Sequence, residues 1–296
     1  MSSYSGKYGS YGSYGKYGSS SIGRSSKGME VLKNIGIVAI AFAVIYLGDM
    51  IYGVANDKAM RFITLLDMTA SSDENTAPIR QDISKYTDAI PIGVSVNERS
   101  GIEFAYSFYL LVGAETFTGE QKLRHVFHKG YQMPWPLMGP GVFIFGHTNT
   151  MRIFMNTNSN PYSYVDIKNI PVQKWFHVVL NCYKSGLDVY INGSLANRMP
   201  FKGAVPYQNY QDIVFFSKSN YESIKNPVVA ALPQGENMSI QGSFSGLLAS
   251  LKYARYALSS FEINKLMTDG PSPKRKTVTQ ELPPYLADNW WSNQRS

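Results

Sequence analysis

The chain has 296 residues, a formal net charge of +7, 44% apolar and 14% aromatic content, and one cysteine. A single cysteine excludes an internal disulfide framework, and this apolar share excludes a wholly disordered chain. The basic excess lies partly at the two ends, so it does not mark the body as a nucleic-acid-binding domain, and the 21 tyrosines suit an all-β body.

Residues 1–28 form an irregular Tyr-Gly repeat (Tyr8-Gly9, Tyr11-Gly12, Tyr14-Gly15, Tyr17-Gly18) with Lys and Ser between. No apolar face can be built from it, so a disordered, basic Tyr/Gly/Ser-rich tail is expected. Stacking of its tyrosines on nucleic-acid bases is the functional alternative to a merely solvated tail.

Residues 29–57 hold the apolar run Ile35 to Ala55, broken only by Asp49. About 21 residues at 1.5 Å each give roughly 31 Å, enough to cross a hydrocarbon core. A transmembrane helix anchored by Ile35, Ile40, Phe42, Ile45 and Leu47 is expected, with the lipid bilayer as partner. The competing readings are a buried soluble helix and a cleaved signal. Gly53-Val54-Ala55 would suit cleavage, but about 34 residues precede the run, far more than a usual signal n-region. Lys7, Lys16, Arg24, Lys27 and Lys33 before the run favour a cytosolic N-terminus. The lone Cys182 and the sequons at Asn192 and Asn237 leave the orientation open.

Residues 58–92 read as a linker, partly helical, with Met60 to Leu66 continuing the helix and Ser71 to Pro78 rich in breakers. From 93 to 271 the period falls to two. Phe104, Tyr106, Phe108 and Leu110 alternate with Ala105, Ser107 and Tyr109 as in a half-buried strand. Further strands are expected at Leu123–Lys129, Gly141–Phe145, Met151–Asn156, Lys174–Tyr183, Leu187–Asn192, Asp212–Ser217 and Gly246–Tyr256. Turn clusters such as Pro134-Trp135-Pro136 and Gly139-Pro140-Gly141 separate them, which predicts an antiparallel β-sandwich of jelly-roll kind. A short helix follows, opened by the Ser259–Glu262 capping box and stopped at Gly270-Pro271. Residues 272–296 form an extended C-terminal tail whose Tyr285, Trp290 and Trp291 are expected to dock on a partner.

Three stretches carry a resemblance. They are Ile170-Pro171-Val172-Gln173-Lys174-Trp175-Phe176-His177-Val178, Leu187-Asp188-Val189-Tyr190-Ile191-Asn192-Gly193, and Phe244-Ser245-Gly246-Leu247 running to Ala257-Leu258-Ser259. In this order they resemble concanavalin A-like lectin/glucanase domains of the laminin G-like type. The resemblance implies that fold for residues 93–271. A basic tail and membrane helix ahead of such a domain is similar to minor capsid and membrane proteins of large DNA viruses of algae and protists. That likeness implies a structural protein tethering an internal membrane to capsid proteins, with a membrane-anchored lectin as the alternative.

Glucanases of this fold use an E-x-D-x-x-E strand to bring two carboxylates to one cleft. Glu103, Glu115 and Glu120 lack acids at the required spacing, so no catalytic residue is expected. His125 and His128, three apart on a strand, should face opposite ways and so cannot share a metal without a bulge. His177 reads as structural, Cys182 as a small core residue, and no cofactor or metal is expected. Calcium or sugar could use Asp166, Asn169, Asp188 or Asn209 at loop rims. A glycan or partner contact is expected at Trp135, Tyr207, Gln208 and Asn209, an aromatic beside amides.

Overall fold

The structure, a computed structural model, describes residues 23–95, 102–224 and 238–275. It divides into two compact units, Met1–Lys58 and Ala59–Ser296.

The first unit holds all but the last three residues of the helix α1 (Gly23–Arg61). Its stretch Gly28–Tyr52 is long and apolar enough to cross a bilayer, and none of it is buried in protein. Ile35, Ile40, Phe42, Ile45 and Leu47 are each more than half exposed. The apolar side chains are spread around the axis rather than gathered in a stripe. A soluble core helix would bury such residues; one apolar on every side suits lipid.

The second unit is a sandwich of two sheets. In the first, β1 (Phe62–Ser71), β13 (Gly246–Ala254), β2 (Phe104–Val112), β7 (Trp175–Tyr183), β8 (Gly186–Ile191) and β9 (Ser194–Pro200) lie in that order. In the second the order is β11 (Asn220–Ile224), β12 (Met238–Ser243), β3 (Leu123–Gly130), β4 (Met138–Phe145), β5 (Met151–Phe154) and β6 (Tyr164–Ile167). The short β10 (Ile213–Phe215) pairs with β3 off this path. Alternate residues Phe104, Tyr106, Phe108 and Leu110 meet Val126, Val142, Ile144 and Ile153 in the main core between the sheets. The helix α2 (Ser260–Asp269) covers the outer face of the first sheet, burying Ile263 and Leu266 against Ala105, Val179 and Ala254. Its capping box forms as expected, with Ser259 and Glu262 each satisfying the other's backbone.

Two expectations are corrected. The segment read as a linker carries β1, whose backbone joins β13 from Phe62 opposite Ala254 to Ser71 opposite Leu247. The helix therefore stops at Arg61 instead of running on to Leu66. Burial of Leu65 and Leu66 under the sheet outweighs their helix propensity. The second sheet is also mixed rather than antiparallel, because β12 runs parallel to β3.

Candidate functional site

The two ends of the sandwich differ in chemistry. At the end where the chain enters at Phe62, Ala254 lies opposite Phe62 and Ala105. Here Tyr253 donates its hydroxyl to Gly93 O at 2.8 Å and Arg255 Nε donates to Val94 O. Gln208 bridges the same groups: its Oε1 accepts from Ser95 N, and its Nε2 donates to the Tyr253 hydroxyl at 3.2 Å.

Beneath this bridge lies Lys129, 3% exposed. Its Nζ donates to the carbonyl and the side-chain oxygen of Asn209, while Asn209 Nδ2 donates back to Lys129 O at 2.9 Å. Burial pushes the ammonium down to about 7, against the opposing pull of Asp212. The cavity above it, edged by Tyr106, Gly139, Gln208 and Tyr253, measures about 10 Å³, room for one water at most. It is too small for a sugar or a cofactor.

A second buried group joins this end. Ser217 N–H donates to His125 Nδ1 at 2.9 Å, and His125 Nε2 lies 2.7 Å from His128 Nδ1. His128 Nε2 lies 2.6 Å from Tyr131 O. Since a backbone N–H only donates and a carbonyl only accepts, both rings carry their proton on Nε2, and all four ring nitrogens are used. Burial holds both imidazoles neutral, His128 at about 4 and His125 well below its ordinary value, with the neighbouring His128 ring further disfavouring a charge on His125. The expected opposition of these two histidines is corrected. A register shift between His125 and Phe127 turns Val126 and Phe127 both inward and returns His128 to the outer face. No third ligand joins them: among the described residues no three of His, Cys, Asp and Glu gather for a metal.

Trp135, expected at a glycan or partner contact, is 4% exposed and packs at 5.6 Å against Tyr162, beside Met138 and Phe154. Its loop is held by Asn156, whose Oδ1 accepts from Met138 N and whose Nδ2 donates to Pro136 O and Pro161 O. Gln208 and Asn209 spend their amides inside the protein. Of the four expected residues only Tyr207 stands open. Beside it the structure exposes Tyr131, Met133 and Tyr210, which sequence reasoning passed over because tyrosine is common throughout the chain.

The loop-rim candidates are also engaged. Asp166 takes Arg152 in a two-pronged pair at 2.7 and 2.8 Å, with the guanidinium lying over Tyr164 at 3.8 Å. Asp188 takes Arg198 in the same way at 2.5 Å. Asn169 occupies a left-handed turn position. His177 bonds Ser107 Oγ at 2.8 Å and stacks on Tyr109 below α2, pushed down to about 4 chiefly by burial. Tyr285, Trp290 and Trp291 lie outside the described residues.

The opposite end, where Ser71 meets Leu247 and Gly246 meets Val112, holds an open cleft of about 300 Å³. Ser72, Asp73, Glu115, Thr118, Arg124 and Lys218 line it. At its edge Gly246 lets β13 lie close against β2: a Cβ there would stand 2.1 Å from Leu111 O. Arg124 donates to Gln241 O and to Thr118 Oγ1, both at 2.7 Å, while its buried Nε–H has no partner among the described residues. Hydroxyls and charges of both signs suit a small polar ligand bound by hydrogen bonds. The lining holds neither His nor Cys to act as base or nucleophile.

No protein-family model matches this chain, and no curated protein matches it. Among solved structures it is similar to the binding domain of botulinum neurotoxin DC in complex with SialylT, at 14% identity and a TM-score of 0.40, over 56% of this chain and 35% of that one. It is likewise similar to the receptor binding domain of the botulinum neurotoxin C/D mosaic serotype, at 15% identity, TM-score 0.41, and 56% and 36% coverage. The serotype G binding domain gives 14%, 0.40, 56% and 36%. This chain thus spans about a third of the length of the structures it matches.

Proposed function

We propose that this protein is a non-enzymatic, membrane-tethered binding module: α1 holds it in a bilayer and the β-sandwich engages a partner. The exposure of Gly28–Tyr52 carries the reading, since a helix that buries none of its apolar surface in protein needs another apolar medium. The finer reading is a virion protein tethering an internal membrane to capsid proteins. It rests on the order of tail, helix and sandwich that the sequence resembles.

The test is alkaline extraction of membranes from cells making the full chain. The protein is expected to stay with the membranes. Ile40→Lys with Ile45→Lys, each costing about 3 kcal/mol at a helix centre, should release it. Recovery of the unaltered chain in the soluble fraction would end the proposal. The virion reading further requires that the full chain in detergent co-assemble with purified capsid components.

A lectin is the second reading, and the open cleft lined by hydroxyls and charges of both signs favours it. Signal on a glycan array, lost in Lys218→Ala and Asp73→Ala, supports it; a blank array sinks it.

A further inference from the structure

Nine large apolar or aromatic side chains of the sandwich are exposed among the described residues, and seven of them belong to segments joined at one end. Those seven are Ile83, Tyr86, Val94, Tyr131, Met133, Tyr207 and Tyr210; the other two, Leu195 and Phe261, lie elsewhere. Three sets of hydrogen bonds knit the segments together. Ser95 N donates to Gln208 Oε1. Gly130 N donates to Asp212 O at 3.0 Å, and Gln81 N donates to Asp212 Oδ1 at 3.1 Å. The aromatics therefore share a braced rim rather than riding on separate loops.

This is also the end at which the chain enters. Val94 accepts from Arg255, the residue after Ala254, which lies opposite Phe62. Phe62 directly follows the last residue of α1, so no linker separates strand from helix. Chain continuity alone keeps Phe62, at this end, next to the last residue of α1. From Ala55, the last residue of the apolar run, to Arg61 is about six residues, or roughly 9 Å of helix. The headgroup layer on each side of the hydrocarbon core takes up about 5–7 Å of that. Phe62, at the end that carries the rim, thus follows within about 2–4 Å of helix beyond the headgroups.

We infer that this rim of tyrosines, Met133 and Val94 rests on the lipid interface of the bilayer that holds α1. Tyrosine suits that layer because its ring is apolar and its hydroxyl stays wet. The inference rests on the membrane-anchor reading above.

The test uses the full chain in pure phosphatidylcholine vesicles with one spin label at a time. Labels are placed through Tyr210→Cys in the rim, Leu195→Cys as the remote sandwich control, and Ile45→Cys within α1. Cys182, fully buried, stays unlabelled in the folded chain. Collisions with lipid-soluble oxygen should rise, and those with a water-soluble nickel chelate should fall, at Tyr210→Cys relative to Leu195→Cys. Adding Tyr131→Ser and Tyr207→Ser should remove that difference. If Ile45→Cys reports lipid while Tyr210→Cys and Leu195→Cys are equally wet, the rim proposal is overturned and the anchor stands; the rim then faces a soluble partner. If Ile45→Cys is itself wet, the anchor reading falls and this inference falls with it.

Discussion

Lys129 shows what a single buried charge does to this sandwich. Its ammonium is ordinary in the unfolded chain, near 10.5, and about 7 in the folded one, with burial the dominant cause. A depressed lysine opposes folding wherever the unfolded chain holds the proton and the folded one does not. Stability should therefore rise as pH climbs above 7, by about 2 kcal/mol between pH 7 and 9. Denaturant midpoints across that window check it, and Lys129→Met should flatten the slope. A slope that survives in Lys129→Met would assign the effect elsewhere. The paired histidines work in the same direction at lower pH: burial holds both below their ordinary value, and with every ring nitrogen engaged an added proton sets donor against donor, so stability falls as pH drops below about 6.5. Neither arrangement was legible in the sequence. The strand expected at Leu123–Lys129 carries no sign that its last lysine is buried, and the histidines read as opposed, because a bulge leaves no mark on spacing.

At the scale of elements, strands with strict alternation were legible, and β2, β3, β7 and β8 fall within a residue or two of expectation. Physical competition hid the rest. Phe62–Ser71 follows an apolar helix without a break, so its leucines read as more helix, while β9 exposes nearly every residue and has no pattern to show. Trp135 was misread because a tryptophan flanked by prolines looks like a displayed loop. Asn156 instead pins that loop over the aromatic cluster with three hydrogen bonds. Asn156→Ala strands the Met138 N–H and two carbonyls, and should cost about 2–4 kcal/mol. It should also raise proteolysis at residues 131–137 before the rest of the sandwich yields. Uniform unfolding with no early cleavage there would show that the loop holds itself.

For the molecule as a whole, the domain boundary matters more than the sequence suggested. A boundary at 93 leaves out β1, which closes the open side of β13 and buries Leu65, Leu66 and Ala70. A chain begun at residue 72 should lose the apolar burial of those side chains, on the order of 4 kcal/mol, relative to one begun at 59. Comparing the thermal midpoints of the two checks it, and equal midpoints would show β1 to be dispensable. The candidate site was legible only at its margin. Tyr207 is where an exposed aromatic was expected, but the amides beside it serve Lys129 and Tyr253.

The pairing of β1 with β13 has a consequence for how the protein is made. Phe62 leaves the ribosome early, yet its partner Ala254 follows some 190 residues later. At about 5–20 residues per second that is roughly 10–40 s. For that interval the first strand of the sandwich has no neighbour and offers an open edge to other nascent chains. Asp67, the one charge in Phe62–Ser71, is the residue placed to discourage such pairing until the last strand arrives.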